Sequence, residues 1–528
     1  MIILFLISFS SFCYQALAAK MVYLYVLDDT AAFALVSSIF FIGMSRGCYR
    51  FLRVFKNSSS ERQRYYLASN EVSVVLAALI MGSFFCGVPL LLKYFELHFP
   101  QVQLETLQIF VAVLAMIILN RLGTYLGLEI CLSYNYQQEL HASREKVESK
   151  DVGFAIAWTY LGGLIASALC AFWFYAQVNP MKFVLVPVFF NFVLAIYFVA
   201  KFFRQFSVWK KLRLILKLLF AVFIMLRFET RGEQLYQNSK FFLYNVNGVM
   251  PYSTVLDNLN FLKRRMQITS VASPYQIADW VTYLDRPKFS RLYLDGAFQF
   301  DTIDENKYHE PFWKGGLYFS GRTPQHILIM GGGDGLLAKM IFESEATSEA
   351  TKGKITDKFT AQVIPEITLV ELDSMVPQLA NDYWKSSENN SLNKVKLELV
   401  DAFDYLRARK NQWSAIFLDF PDPRSAELSK LYSVEFYRMV KKNLSSDGFI
   451  VLDYPRKDSS KIISSTLMAA GFKNIIFYGK GNTFVYADAI DRSEMSLASL
   501  KASSPFFINS TPAFDIEAVN SIFNLRLP

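Results

Sequence analysis

The sequence is poor in cysteine, histidine and charge, and each shortage removes a class of chemistry. Its 528 residues include five cysteines, Cys13, Cys48, Cys86, Cys131 and Cys170, all in the N-terminal part. The C-terminal half therefore has no disulfide framework, no thiolate zinc site and no cysteine nucleophile. The four histidines, His98, His141, His309 and His326, are too scattered for a histidine-rich metal cluster. Charged residues make up 19% of the chain, against about 25% in ordinary globular domains. Hydrophobic residues reach 53% and are concentrated before about residue 230. This excludes a purely soluble enzyme, a disordered chain and a collagen-like or repeat protein. Chemistry in the C-terminal half must rest on carboxylates, amides and aromatic side chains.

A spanning helix needs about 20 mostly apolar residues. Such stretches occur near 1–27, 31–52, 72–95, 104–127, 152–176 and 183–203. A seventh, 208–227, contains Lys217 and reads as an interfacial helix as readily as a span. Ala16-Leu17-Ala18 resembles a signal-cleavage site, but no Lys or Arg precedes the apolar run, so a retained first span is expected. Basic clusters follow the second stretch (Arg46, Arg50, Arg53, Lys56, Arg62, Arg64), the fourth (Arg144, Lys146, Lys150) and the sixth (Lys201, Arg204, Lys210, Lys211, Arg213). They place those connections in the cytoplasm and account for much of the net charge of +8 without nucleic acid. Glu129, near Arg121, is either an intramembrane functional carboxylate or an interfacial one paired with that arginine. Gly162-Gly163 is expected to allow close helix packing.

After about residue 265 the pattern changes. Arg291–Leu294 and Ala297–Phe300 flank Asp295-Gly296, a hairpin signal. Strands at His326–Met330, Ile367–Val370, Lys396–Val400, Ala415–Leu418 and Gly448–Leu452 then alternate with helices. This is a doubly wound α/β pattern, whose ligand crevice lies beyond the carboxyl ends of the strands. Gly331-Gly-Gly-Asp-Gly335 follows the first of these strands, while Glu371, Asp401 and Asp419 end the next three. A glycine loop permits close backbone approach to a ligand. Glu371 is placed to accept from ribose hydroxyls and Asp401 from an adenine amino group, so an adenosine-type ligand is expected. Asp334 would repel a pyrophosphate, which disfavours a dinucleotide.

In order, Ser273-Pro-Tyr-Gln276, Leu294-Asp-Gly296 with Gln299, Asp304-Glu305, Tyr308-His-Glu310, the glycine loop, Asp401-Ala402, Asp419-Phe-Pro-Asp-Pro423 and Leu431–Tyr437 resemble the polyamine aminopropyltransferases (spermidine synthases). The apolar half is similar to the integral-membrane branch of that family, with Gly43-Met44 and Leu128-Glu129-Ile130 as weaker cues. The resemblance implies a helical membrane domain of six to seven spans (1–230), a small β-hairpin region (246–300), a doubly wound, Rossmann-like, methyltransferase-type catalytic domain (301–490) and a tail (491–528). It implies transfer of the aminopropyl group of decarboxylated S-adenosylmethionine to putrescine or a related amine, giving spermidine and 5′-methylthioadenosine. Asp419 would be the catalytic base. Gln276, Asp334, Glu371, Asp401 and Ala402 would hold the donor, and Tyr308, His309, Asp334 and Asp422 the amine. No resident cofactor or metal is implied. The expected partners are the polyamine, the sulfonium nucleoside and the lipid bilayer, not nucleic acid, and a homo-oligomer is compatible with the sequence. The expected location is the cell (inner) membrane, multi-pass, with the catalytic domain cytoplasmic.

The residues also admit plainer roles: Asp401 as a helix cap, Asp422 before Pro423 as a turn pair, His309 as a buried hydrogen-bonded histidine. The segment 347–365 reads as a surface insertion. Arg424–Leu428, Asp453-Tyr-Pro-Arg456 and Tyr478–Asn482 depart from the family on the acceptor side. An S-adenosylmethionine-dependent methyltransferase and a non-catalytic polyamine-binding or transport protein are the competing readings. Asp334 and Tyr308-His-Glu310 oppose the first, and Asp419 with Asp422 the second.

Overall fold

Long apolar runs become helices because a helix satisfies every backbone N–H and C=O within the segment. In the computed structural model they build the first of two units, Met1–Phe298; the second is Gln299–Pro528. The structure describes all residues except 1, 27–28, 143–148, 171–179, 246–249, 287–288, 304, 352–364, 385–390, 409–411, 422, 424–425, 454–458, 480–481 and 527–528. Most of the 347–365 segment therefore lies outside the described residues.

The first unit contains helices α1 (Ile2–Val26), α2 (Asp29–Arg50), α3 (Ser60–His98), α4 (Leu104–Ala142), α5 (Ser149–Leu169), α6 (Pro180–Phe202) and α7 (Val208–Leu243). Among the described residues five helices are long and apolar enough to cross a membrane: Ile2–Tyr23, Ala31–Phe55, Ser60–His98, Leu104–Glu139 and Lys182–Gln205. Gly153–Leu169 is apolar but shorter. The stretches read at 72–95 and 104–127 are parts of helices of 39 residues each. A hydropathy window sees only the apolar part, whereas the α3 start is set by Ser59, whose side chain accepts from the Arg62 N–H. The seventh stretch opens α7, which is not one of the five. Its Lys217 donates to the Ser69 carbonyl at 2.6 Å and to the Ser69 and Ser73 hydroxyls at 3.1 and 2.5 Å, so α3 satisfies its charge.

Glu129 does not pair with Arg121, whose guanidinium lies over the Tyr125 ring at 5.5 Å. Glu129 is fully buried and accepts from Asn191 Nδ2 at 3.1 Å. The same amide donates to the buried Glu71 at 3.3 Å, and the Tyr14 hydroxyl donates to Asn191 Oδ1 at 3.0 Å. The interfacial pairing fails because Arg121 and Glu129 stand eight positions apart on one helix, whereas the amide of α6 comes within hydrogen-bond reach inside the bundle.

Glycines bring helices into backbone contact at α2 with α4 and at α1 with α5. Gly43 and Gly47 of α2 meet Gly123 and Gly127 of α4, a Gly-x-x-x-Gly spacing on each side. A Cβ on Gly47 would lie 2.3 Å from the Thr124 carbonyl oxygen, and one on Gly127 would lie 2.1 Å from that of Met44. Gly162 of α5 similarly meets the Phe5 carbonyl of α1, where a Cβ would come to 2.3 Å. After α8 (Val255–Arg265) the unit continues into an antiparallel meander, β1 (Met266–Ala272), β2 (Ile277–Tyr283), β3 (Ser290–Leu294) and β4 (Ala297–Asp301), the last strand running across the unit boundary. The turn between β3 and β4 is Asp295-Gly296, with φ of 45° and 80°, the geometry expected of this dipeptide.

In chain order the second unit contains α9 (Glu305–Ser320), β5 (His326–Gly331), α10 (Leu336–Thr351), β6 (Glu366–Glu371), α11 (Met375–Trp384), β7 (Lys396–Leu399), α12 (Ala402–Ala408), β8 (Trp413–Asp419), α13 (Val434–Asn443), β9 (Leu444–Asp453), α14 (Ser460–Ala469), β10 (Asn474–Tyr478), β11 (Phe484–Asp488), α15 (Glu494–Ala502) and β12 (Ile508–Asn509). The sheet order is β12-β10-β11-β9-β8-β5-β6-β7. The five strands from β9 to β7 are parallel, and β10, β11 and β12 add antiparallel, so the sheet is mixed. Alternation along β5 sends Ile327 and Ile329 to one core with Phe312 and Trp313 of α9. Leu328 and Met330 enter the other core, with Phe436 and Val440 of α13. Strand order reverses between β5 and β8, which opens the crevice at their carboxyl ends. Residues beyond 491 pack on this unit: β12 pairs with β10, and the buried Asn520 donates to the Ser429 carbonyl at 2.9 Å.

Gly127→Val should force α2 and α4 apart and lower the stability of the detergent-solubilised protein by about 1–3 kcal/mol, the usual cost of overpacking. Gly153→Ala, where nothing lies within 4 Å of the added carbon, serves as the control. Equal thermal midpoints for the two variants would mean that the glycine contact does not hold the helices.

Candidate active site

The site grows from the turn after β5. Gly331, Gly332 and Gly335 have φ of 81°, 63° and 74°, which side-chain-bearing residues rarely adopt. Space is equally restrictive. A Cβ on Gly332 would lie 2.7 Å from Asp419 Oδ2, and one on Gly333 would lie 2.6 Å from Glu371 Oε2. The loop thus lies directly against the carboxylates that end β8 and β6. Asp334 Oδ1 accepts from the Leu336 N–H at 2.9 Å and so shapes the start of α10.

Glu371 is turned in by three backbone donors. Oε1 accepts from the Leu372 and Asp373 N–H groups at 2.8 and 3.0 Å, and Oε2 from Gly333 at 3.1 Å. Burial outweighs these bonds and pushes its carboxyl above the ordinary range. Each oxygen retains acceptor capacity for a hydroxyl. Asp401 does cap the following helix: Oδ1 accepts from Phe403 and Asp404 N–H at 2.8 and 3.3 Å. Its Oδ2 lies 3.5 Å from Lys430 Nζ, an ion pair that sequence reasoning missed because 29 positions separate the two. Ala402 is buried at the start of α12.

Asp419 lies partly buried at the end of β8, and its Oδ1 accepts from the Tyr308 hydroxyl at 2.8 Å. Burial raises its carboxyl to about 6, although the tyrosine bond opposes the shift. Oδ1 is held by Tyr308 while Oδ2 faces the glycine loop. Tyr308 is fixed by edge contacts with Phe312 and Phe484, ring centres 5.6 and 5.2 Å away. Burial, reinforced by the Asp419 charge, keeps its phenol protonated. His309 is buried beside it.

The second unit therefore gathers Tyr308, His309, Asp334, Glu371, Asp401, Ala402 and Asp419 around the strand ends. Gln276 belongs to the first unit, in the turn between β1 and β2, where its carbonyl accepts from the Ser273 N–H at 2.9 Å. Asp422 lies outside the described residues. Asp453, at the end of β9, lies within electrostatic reach of Tyr308; sequence reasoning placed it only among the departures on the acceptor side. The rule that singled out Glu371 and Asp419, an acidic residue closing an apolar strand, would have found it.

A glycine loop with carboxylates closing neighbouring parallel strands is the arrangement of a methyltransferase-type α/β fold. Residues 305–464 match the family described as the spermine/spermidine synthase domain. The chain is 34% identical over 176 residues to the polyamine aminopropyltransferase of Oceanobacillus iheyensis, covering 33% of this chain and 31% of that one. It is 27% identical over 366 residues to polyamine aminopropyltransferase 2 of Aquifex aeolicus, covering 66% and 62%. The crystal structure of spermidine synthase from Thermotoga maritima is similar at a TM-score of 0.35 and 20% identity, over 50% of this chain and 85% of that one. The match to the Oceanobacillus protein spans about a third of that relative's length.

The raised carboxyl of Asp419 has a stability consequence with a definite sign. Its contribution is fully present below the unfolded value near 4 and is lost as pH rises through about 6, because the buried ionised form is disfavoured. Asp419→Asn should therefore be more stable than the parent at pH 7–8 by roughly 1–2 kcal/mol, allowing for screening at a partly exposed group. The gap should close by pH 4–5. Denaturant unfolding across this range checks it, and a parent as stable as the variant at pH 8 contradicts it.

Proposed function

We propose that this protein is a membrane-anchored aminopropyltransferase that moves the aminopropyl group of decarboxylated S-adenosylmethionine to putrescine or a related amine, giving spermidine and 5′-methylthioadenosine. The observation that carries the reading is Asp419, a carboxylate oriented by Tyr308 against the glycine loop within the matched family domain. An alkyl amine is cationic near neutral pH and must lose a proton before its nitrogen can attack. Asp419 attracts the ammonium and takes that proton. The nitrogen lone pair then forms a bond to the aminopropyl carbon next to the sulfonium, and the C–S pair leaves on sulfur as methylthioadenosine. A carboxyl held near 6 is ionised at neutral pH yet more basic than an ordinary aspartate, which suits a general base. Glu371 and Asp401 would hold the ribose and adenine, with Ala402 beside them in the same unit. Asp334 would pair with the donor's terminal ammonium and disfavour the carboxylate of ordinary S-adenosylmethionine. His309 and Asp422 would hold amino groups of the acceptor.

The five apolar helices support a multi-pass position in the cell membrane, with the basic connections and the catalytic unit on the cytoplasmic side. A reporter fused after Pro528 that is active only outside the cytoplasm overturns that placement.

The purified protein should convert decarboxylated donor and a diamine to methylthioadenosine and an aminopropylated product, detected by mass spectrometry. Methyl transfer from S-adenosylmethionine instead would make it a methyltransferase, and ligand binding without product a binding protein. Asp419→Asn should lower turnover by about 100-fold or more and leave donor affinity nearly unchanged. Parent turnover should fall below about pH 6 as the base protonates. Near-normal turnover of the variant at neutral pH removes Asp419 from the mechanism. Asp334→Asn should weaken decarboxylated donor by about tenfold or more, the loss of a charged hydrogen-bond partner. Methylthioadenosine, which lacks the amine, should be weakened far less; equal weakening of both makes Asp334 a loop-shaping residue.

A further inference from the structure

The helical unit carries a cluster that aminopropyl transfer does not use. Glu71 of α3, Glu129 of α4 and Asn191 of α6 are all fully buried. Asn191 Nδ2 donates to Glu71 Oε2 at 3.3 Å and to Glu129 Oε1 at 3.1 Å, so one nitrogen reaches both carboxylates. An amide nitrogen has two hydrogens, and both are committed here. The other oxygens, Glu71 Oε1 and Glu129 Oε2, are buried, and no donor among the described residues reaches them. Ser133, one turn beyond Glu129 on the same face of α4, is also fully buried, with a hydroxyl that has no partner among the described residues.

The neighbouring helices do not balance this charge. Lys217 of α7 spends its ammonium on Ser69 and Ser73, which flank Glu71 on the opposite side of α3. Arg121 of α4 lies over the Tyr125 ring, and Arg46 of α2 donates to Asn120. On α6, Lys182 and Lys201 stand about 14–15 Å along the helix from Asn191, and on α1 Lys20 stands about 9 Å along from Tyr14. Tyr14, the titratable group that α1 brings to the cluster, donates to Asn191 Oδ1 at 3.0 Å rather than to a carboxylate. Two ionised carboxylates side by side in an apolar interior repel each other. A proton between them removes one charge, supplies the missing donor and needs no space of its own.

We propose that Glu71 and Glu129 form a proton-binding site inside the helical unit, with one exchangeable proton shared by the two carboxyls. Loss of that proton leaves two anions facing each other, so occupancy of the site is coupled to the packing of α3 on α4 and, through Asn191 and Tyr14, to α6 and α1. The inference is independent of the aminopropyl-transfer reading.

Infrared difference spectra of the full-length protein in detergent near pH 7 test it, because a protonated carboxyl and a carboxylate absorb at different frequencies. Glu71→Gln and Glu129→Gln each keep the shape and place an amide N–H where the proton lay, so the remaining carboxyl should be ionised. Each variant should lose the intensity of one protonated carboxyl relative to the parent, in a band that shifts on exchange into heavy water. The double variant should lose no more than either alone. Twice that loss in the double variant means two independently protonated residues, and no loss means two carboxylates; either result overturns the proposal. A parent thermal midpoint that depends on sodium or potassium ions also overturns it, since an alkali ion would then be the occupant. If a glutamine variant does not fold, dicyclohexylcarbodiimide decides on the parent. A carboxyl O–H adds across its N=C bond, so mass spectrometry should find the adduct on Glu71 or Glu129 and never on both in one chain. Adducts on both, or on neither, overturn the proposal.

Discussion

The site depends on how closely the loop after β5 approaches the ends of the neighbouring strands. With no Cβ at Gly332 and Gly333, the loop can lie against Asp419 and Glu371, as no side-chain-bearing loop could. Burial at this strand end raises the Asp419 carboxyl, so the place of the proposed base in the fold also sets its basicity. Tyr308 then needs only one hydrogen bond to choose which oxygen faces the loop. Backbone amides do the corresponding work for Glu371, from three donors close in sequence or across the loop.

At these strand ends the carboxylates proposed to bind ligand also cap helices. Asp334 and Asp401 both satisfy N–H groups at helix starts, which pins each carboxylate and costs one oxygen of its acceptor capacity. In Asp401 the second oxygen remains directed to Lys430. A capping residue and a binding residue are therefore not competing descriptions here. Each carboxylate has two oxygens, and the fold uses one to hold the other.

The helical unit is organised by a different constraint. In an apolar interior, close packing rather than the hydrophobic effect brings helices together, and glycines let α2 and α4 touch backbone to backbone. One buried cluster of polar groups is shared by several helices. Glu71, Glu129, Asn191 and Tyr14 come from four helices and meet through one amide. Lys217 is handled similarly, with three acceptors from Ser69 and Ser73.

The division into an apolar helical region and an α/β region was legible from composition and periodicity alone, because both are local in the chain. So were the five parallel strands and the acids that close three of them, since a strand's end and the residue following it are adjacent. The Asp295-Gly296 turn was equally local. Tertiary structure decided what depends on partners distant in sequence: that Glu129 meets Asn191 rather than Arg121, that α7 begins with a lysine satisfied by α3, and that β12, from beyond residue 500, joins the sheet. It also decided that the Tyr308 hydroxyl meets Asp419, 111 positions away. Such pairings arise only when the order of strands and the packing of helices bring separate segments within a few ångströms, and no local pattern of residues encodes that distance.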